Sequence, residues 1–234
     1  MKMSLFQYIL ILLVPLLAIN LYAAIAEADW LMQATQLIFV PGLAGIYIKL
    51  KKNMSLNAIL FFIFFFLAQI NGFIFNTNNL TIISFFFYII AYFGLSREAL
   101  QNTQLETASK TILVYFFLLI AINAYLLFTH VLELKQYMSD ELEFGIYIAY
   151  YGVLLVMGII SLIYYLNSYS KKSIYFITLV LTFIFSNVFR DSAYFYMKDS
   201  VILITGNLLW YNGLIFSLLF FLTPERKLRL LNLL

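Results

Sequence analysis

The chain contains no cysteine, a single histidine and three prolines, and only 11% of its 234 residues are charged. Each shortage removes a class of chemistry. Without cysteine there is no disulfide, no thiolate metal ligand and no thiol nucleophile. With His130 alone, a site built from several histidines cannot be assembled within one chain. The shortage of charge is the most informative. A soluble domain carries about 25% charged residues to cover its water-facing surface, and this chain has too few to do so. It also lacks a basic patch with interleaved aromatics, so nucleic acid is not an expected partner.

In place of charge, 64% of the residues are hydrophobic and 19% are aromatic. A membrane-spanning helix needs about 20 mostly apolar residues. Eight such runs are present, at 5–26, 29–50, 55–75, 78–96, 110–130, 144–167, 173–197 and 200–222. The breaks between them are short and polar and leave no room for a soluble domain. The expected fold is therefore an all-α polytopic membrane protein, a bundle of eight transmembrane helices forming one domain over residues 1–234. The C-terminal stretch 222–234 reads as a short amphipathic tail held at anionic headgroups. The first run, followed by "AAIAEA", also has the look of a signal peptide. Its apolar stretch from Leu5 to about Leu21 is longer than the usual signal core, and it is expected to stay as a helix.

Lys and Arg set the orientation. With a cytoplasmic N-terminus, Lys2, Lys49, Lys51, Lys52, Arg97, Lys110, Lys171, Lys172, Arg226, Lys227 and Arg229 all fall on the inside. Lys135 and Lys198 fall outside, among Glu27, Asp29, Glu133, Asp140, Glu141, Glu143 and Asp199. Both termini are then cytoplasmic. A shift of 120 residues superposes Lys51–Lys52 on Lys171–Lys172 and Asn71 on Asp191. The halves read either as two parallel four-helix repeats, whose junction is a common place for a site, or as a chance match of hydrophobic segments.

Polar side chains within the runs gather in the outer half: Gln33, Gln36, Gln69, Asn71, Asn123, Tyr147, Tyr150, Tyr151, Asn187, Asp191, Asn207, Tyr211 and Asn212. Polar groups in hydrocarbon face the bundle interior or a wet cavity, and their common depth points to one cavity open to the outer leaflet. The bland alternative is helix-to-helix hydrogen bonding, which contributes about 1 kcal/mol or less per residue. In "FRDSAYFYMKD", Arg190 is either an interfacial anchor that snorkels to the headgroups or a phosphate contact. Asp191 is too short to snorkel. It has the chemistry of a general acid, and no pairing partner besides Arg190 is evident. His130 reads as an interfacial residue.

These residues carry a family resemblance. The eight-helix plan, the length and the polar clusters on the third and seventh helices resemble the YhhN, or lysoplasmalogenase-like, family. "RDSAYFYMK" is similar to that family's Ser-Asp-Ser segment followed by apolar residues and a basic residue, with Asp191, Ser192 and Lys198 on matching positions. Departures are Asn71 in "ING" for the family's aspartate, Val40 before Pro41 for its lysine, and Tyr92 in "IAYF" for its histidine. The resemblance implies hydrolysis of a lysoplasmalogen vinyl ether with neither metal nor organic cofactor, in a bacterial inner (cytoplasmic) membrane. Asp191 would be the general acid, with Asn71 and Asn187 positioning water. Arg190, Ser192, Gln69, Tyr92, Asn207 and Tyr211 would contact substrate. The expected partner is a membrane lipid; protein partners are not indicated. The competing expectation is a non-catalytic descendant that binds, moves or scaffolds lipid and keeps the fold and polar cavity. An ion-coupled transporter ranks lower, since a second intramembrane ionisable group and interrupted midplane helices do not stand out.

Overall fold

Apolar runs of this length have no water to satisfy their backbone polar groups, and the helix does so within the segment itself. A computed structural model describes residues 4–51, 54–74, 78–103, 110–138 and 141–226. It contains α1 (Leu5–Ile25), α2 (Asp29–Leu50), α3 (Leu56–Ile74), α4 (Asn78–Asn102), α5 (Lys110–Leu134), α6 (Glu141–Ser168), α7 (Lys171–Asp191) and α8 (Ser200–Leu222). All eight are long and apolar enough to cross a membrane, and the chain is an integral membrane protein with an all-α bundle. Ser4, Ser170 and Asp199 cap α1, α7 and α8 by accepting from first-turn amides, which satisfies donors a helix start leaves open.

Three boundaries differ from the hydropathy reading by three residues or more, with the π-helical end of the seventh span counted as part of it. Helix α4 runs to Asn102 rather than 96, α5 to Leu134 rather than 130, and α6 starts at Glu141 rather than 144. Hydropathy sees only the apolar core, whereas a helix continues wherever its polar end finds partners. At the end of α4, Glu98 is such a residue. Beyond α7 the chain does not stop but loosens into a π-helical turn, Ser192–Met197, closed by Lys198 at φ 45° and ψ 42°. Turns of this kind are frequent at functional sites.

Helix neighbours follow a regular scheme. Contacts join α1 to α2, α2 to α3, α3 to α4 and α4 to α6. Advancing every helix by four gives α5–α6, α6–α7, α7–α8 and α8–α2, and each of these is also a contact. This is the arrangement that two parallel repeats produce. Helix α5 departs from it, being attached chiefly to α6. The tightest seams pass over glycine: a Cβ on Gly94 would sit 3.0 Å from the Asn57 carbonyl oxygen, and one on Gly206 would sit 2.8 Å from Arg190 Cγ. Small residues let helix backbones approach where lipid gives no hydrophobic drive. The middle of the bundle is aromatic, with Phe39, Phe61, Phe65 and Phe183 fully buried.

One end of the bundle is closed by a polar network. Lys172 at the start of α7 reaches Glu98 of α4 at 2.8 Å, and Asn57 of α3 donates to the other Glu98 oxygen at 2.8 Å. Lys51 donates to the Phe221 carbonyl at the end of α8, where a cation meets the negative pole of the helix. Tyr164 donates to Glu225 beside them. With Lys172 only 5% exposed and Glu98 9%, removing one partner strands a buried charge. Lys172→Met is expected to destabilise the protein by about 3–5 kcal/mol, seen as a lower melting temperature in detergent. Adding Glu98→Leu to it should recover most of the loss.

Candidate functional site

At the opposite end, the helices splay around a cavity of about 380 Å³. Its wall draws on α2, α3, α4, α6, α7, the π-helical turn and α8. Polar side chains are Asp29, Gln33 and Gln36 from α2, Gln69 from α3, Ser84, Tyr88 and Tyr92 from α4, and Tyr147 and Tyr150 from α6. Asn187, Arg190, Asp191 and Tyr194 complete it from the seventh span. A common depth in the sequence thus becomes a common wall in the fold.

Arg190 is the centre of its charge pattern. It is partly buried and lines the cavity rather than serving only as an interfacial anchor. Among the described residues no carboxylate lies within ion-pair distance of its guanidinium, and no hydrogen bond reaches it. The groups acting on it are Asp191 and the hydroxyls of Tyr194, Tyr88 and Tyr150. Gly206 sets its place. With no side chain there, the Arg190 stem passes against α8, while Ser186 Oγ donates to the Gly206 carbonyl at 2.8 Å.

Asp191 does have partners, contrary to the sequence reading. Tyr151 Oη donates to Asp191 Oδ2 at 2.5 Å. His130 Nε2 lies 3.3 Å from the same hydroxyl and 3.7 Å from Oδ2. Side-chain exposures of 10% for His130 and 17% for Asp191 place this cluster inside the protein. His130 was expected at the interface as a bystander. A hydropathy reading cannot see that α5 packs against α6 near its C-terminal end, which is what delivers the imidazole to Asp191.

The remaining predicted residues divide into two groups. Gln69 donates to Tyr88 at 2.6 Å, Asn187 accepts from Tyr150 at 3.0 Å, and Tyr92 meets Tyr150 at 3.3 Å, so these three form the hydrogen-bonded lining of the cavity. Gln33, Gln36 and Tyr147 line it too, and the others stand off the wall. Asn71 turns to Ser84 at 2.8 Å, and Ser192 returns a bond to the Val188 carbonyl at 2.7 Å. Asn207 and Tyr211 belong to a packed network between α1, α2 and α8, where Asn207 accepts from Gln36, Tyr211 donates to Thr35, and Asn20 donates to Thr35. Asn123 and Asn212 are exposed and bond carbonyls on their own helices. Residues missed in the sequence include Tyr88, Tyr194, Phe85, Ser84, Asp29 and Trp210, all on the wall. The Tyr88–Tyr92 spacing, one helical turn, was a usable signal for one of them.

The donor set holds one free cation, neutral amides and phenols, and no group of three or more His, Asp or Glu side chains that could bind a metal among the described residues. The same wall also carries two carboxylates, Asp29 and Asp191. Comparison of the chain with protein-family models, with curated proteins and with solved structures finds no match.

The Gly206 contact generates a prediction. Gly206→Ala places a methyl within 3.3 Å of Arg190 Cγ, Arg190 N and Ser186 O, so α7 must move off α8. A cost of about 1–3 kcal/mol is expected, read as a fall in melting temperature. Gly152→Ala, with nothing within 4 Å of the new Cβ, should leave it unchanged.

Proposed function

We propose that this protein is a membrane receptor for an anionic amphiphile, a lyso-phospholipid or a related lipid, whose headgroup enters the cavity and is bound through Arg190. The observation that carries this reading is the unpartnered guanidinium on a polar cavity wall inside an apolar bundle. Such a cation is costly without a counter-charge, and a guanidinium presents a planar fork matched to phosphate. Gln33, Gln69, Tyr147 and Tyr194 are neutral groups able to hydrogen-bond the rest of a headgroup. The proposal includes the topology the charges favour: a bacterial inner membrane, both termini cytoplasmic, and the cavity facing outward.

A second reading is favoured by the position of Asp191 on the same wall. A lipid bound at Arg190 with its vinyl ether near Asp191 could be hydrolysed in the manner that the YhhN-like segment implies. Protonated Asp191 would add its proton to the vinyl carbon, water would add to the resulting oxocarbenium ion, and the water's extra proton would return to the carboxylate. The hemiacetal then collapses to aldehyde and a glycerophospho-base. Asn71 and Asn187 are both engaged in protein hydrogen bonds, which is why binding stands first and lipid hydrolysis second.

Trp210 lines the cavity and reports on it. Titrating purified protein with lysophosphatidylglycerol should change its fluorescence, while monoacylglycerol of the same chain length should not. Arg190→Gln is expected to weaken lysophosphatidylglycerol binding by about 10- to 100-fold, the value of a charge-assisted contact. Equal binding of both lipids, or no effect of the substitution, would contradict the receptor reading. For the second reading, aldehyde release from a lysoplasmalogen should vanish in Asp191→Asn; its absence from folded wild type would leave binding alone.

A further inference from the structure

The cavity sets an electrostatic problem. Asp191 is on the wall beside Arg190, and a ligand anion drawn to the guanidinium comes close to the Asp191 carboxylate. Like charges sharing a site disfavour one another unless one is neutralised. The wall and its backing add further negative charge, with Asp29 on α2 and Glu143 on α6 acting on the cavity tyrosines. Glu133 of α5 acts on Tyr196 of the π-helical turn behind them. Positive charge comes from Arg190 alone on the wall.

Behind Asp191 stands a means of supplying the missing proton. Tyr151 spends its hydroxyl hydrogen on Asp191 Oδ2 at 2.5 Å, which leaves its oxygen free to accept from His130 Nε2 at 3.3 Å. Tyr196 braces the histidine, its hydroxyl 3.4 Å from the His130 carbonyl and its ring 6.1 Å from the imidazole. The order His130, Tyr151, Asp191 is thus a hydrogen-bonded chain leading from α5 to the cavity wall. Imidazole is also the side chain whose charge changes most readily near neutral pH.

We propose that the cavity takes up its anionic ligand together with one proton, held by the His130–Tyr151–Asp191 chain. A proton arriving at His130 Nδ1 makes an imidazolium. The Nε2 hydrogen then passes to Tyr151 as the Tyr151 hydrogen passes to Asp191 Oδ2, which leaves His130 neutral and Asp191 neutral. Whether the proton rests on the ring or the carboxyl, the cluster becomes more positive by one charge, and the anion is no longer opposed. The inference rests on the receptor reading, since it concerns the same cavity. By linkage, ligand affinity rises as pH falls, and ligand binding in turn draws in the proton.

The probe is lysophosphatidylglycerol, a phosphodiester whose own charge is constant between pH 5 and 8. For wild type, the dissociation constant should fall by up to about tenfold for each unit that the pH is lowered, over the range where one proton is linked. Weakly buffered protein with a pH indicator should take up close to one proton per lipid bound. His130→Gln should flatten the profile at the weak, high-pH affinity. Asp191→Asn should flatten it at the tight, low-pH affinity, so the two variants move in opposite directions. Melting curves confirm that each is folded. Binding that depends on Arg190 yet is independent of pH, with no proton taken up, overturns the proton linkage and leaves the receptor intact. A pH profile unchanged in both variants overturns it as well. Failure of wild type to bind at any pH overturns the receptor reading itself.

Discussion

An arginine inside an apolar bundle needs an anion or water beside it, and this requirement organises the open end of the protein. Arg190 reaches the cavity because Gly206 lets α7 and α8 close on each other with the arginine stem between them. Its charge then has to be accommodated, and seven elements contribute to the wall that does so. The polar side chains of the wall are mostly amide and phenol, groups that can solvate a cation or its counter-ion without carrying charge. Asp191, which could have paired with the neighbouring arginine, is turned instead toward Tyr151 and His130. The guanidinium is thereby left open for a ligand.

The other end answers the same requirement in the opposite way. Lys172 and Glu98 are buried and paired, with Asn57 supplying a further donor. Lys51 finishes the end of α8, and Tyr164 holds Glu225. A charge satisfied within the protein makes a strut, and a charge left unsatisfied makes a binding site. Between the two ends lie fully buried phenylalanines, so the polar groups are sorted into a closed layer and an open one. The repeat-like scheme of helix contacts fits this division, since α3 and α4 meet through Asn57–Glu98 and Gln69–Tyr88, and α7 and α8 through Phe176–Phe220 and Ser186–Gly206.

Much of the fold was legible in the sequence because hydrocarbon imposes a strict length and composition on a spanning helix. All eight spans and most of their bounds follow from that rule. The collection of Gln33, Gln36, Gln69, Tyr147, Tyr150, Asn187 and Asp191 at one depth was also legible, since depth depends only on position along a helix. Azimuth and lateral packing were not. Asn207 and Tyr211 share that depth but face α2, and Asn123 faces outward. His130 and Glu98 were passed over for a related reason: each lies at a polar helix end, where the sequence resembles a loop. Their importance depends on Asp191 and Lys172, residues 61 and 74 positions away. The polar pattern carried no information on which lipid headgroup the cavity accepts.

The central claim is that the free charge of Arg190 is completed by a lipid anion. The most direct measurement is an electron cryo-microscopy structure of the protein in nanodiscs doped with lysophosphatidylglycerol. The account predicts headgroup density inside the cavity, with a phosphate oxygen at hydrogen-bond distance from the Arg190 guanidinium. A cavity holding only water, or an Arg190 side chain withdrawn from it to pair with a carboxylate, would contradict the account.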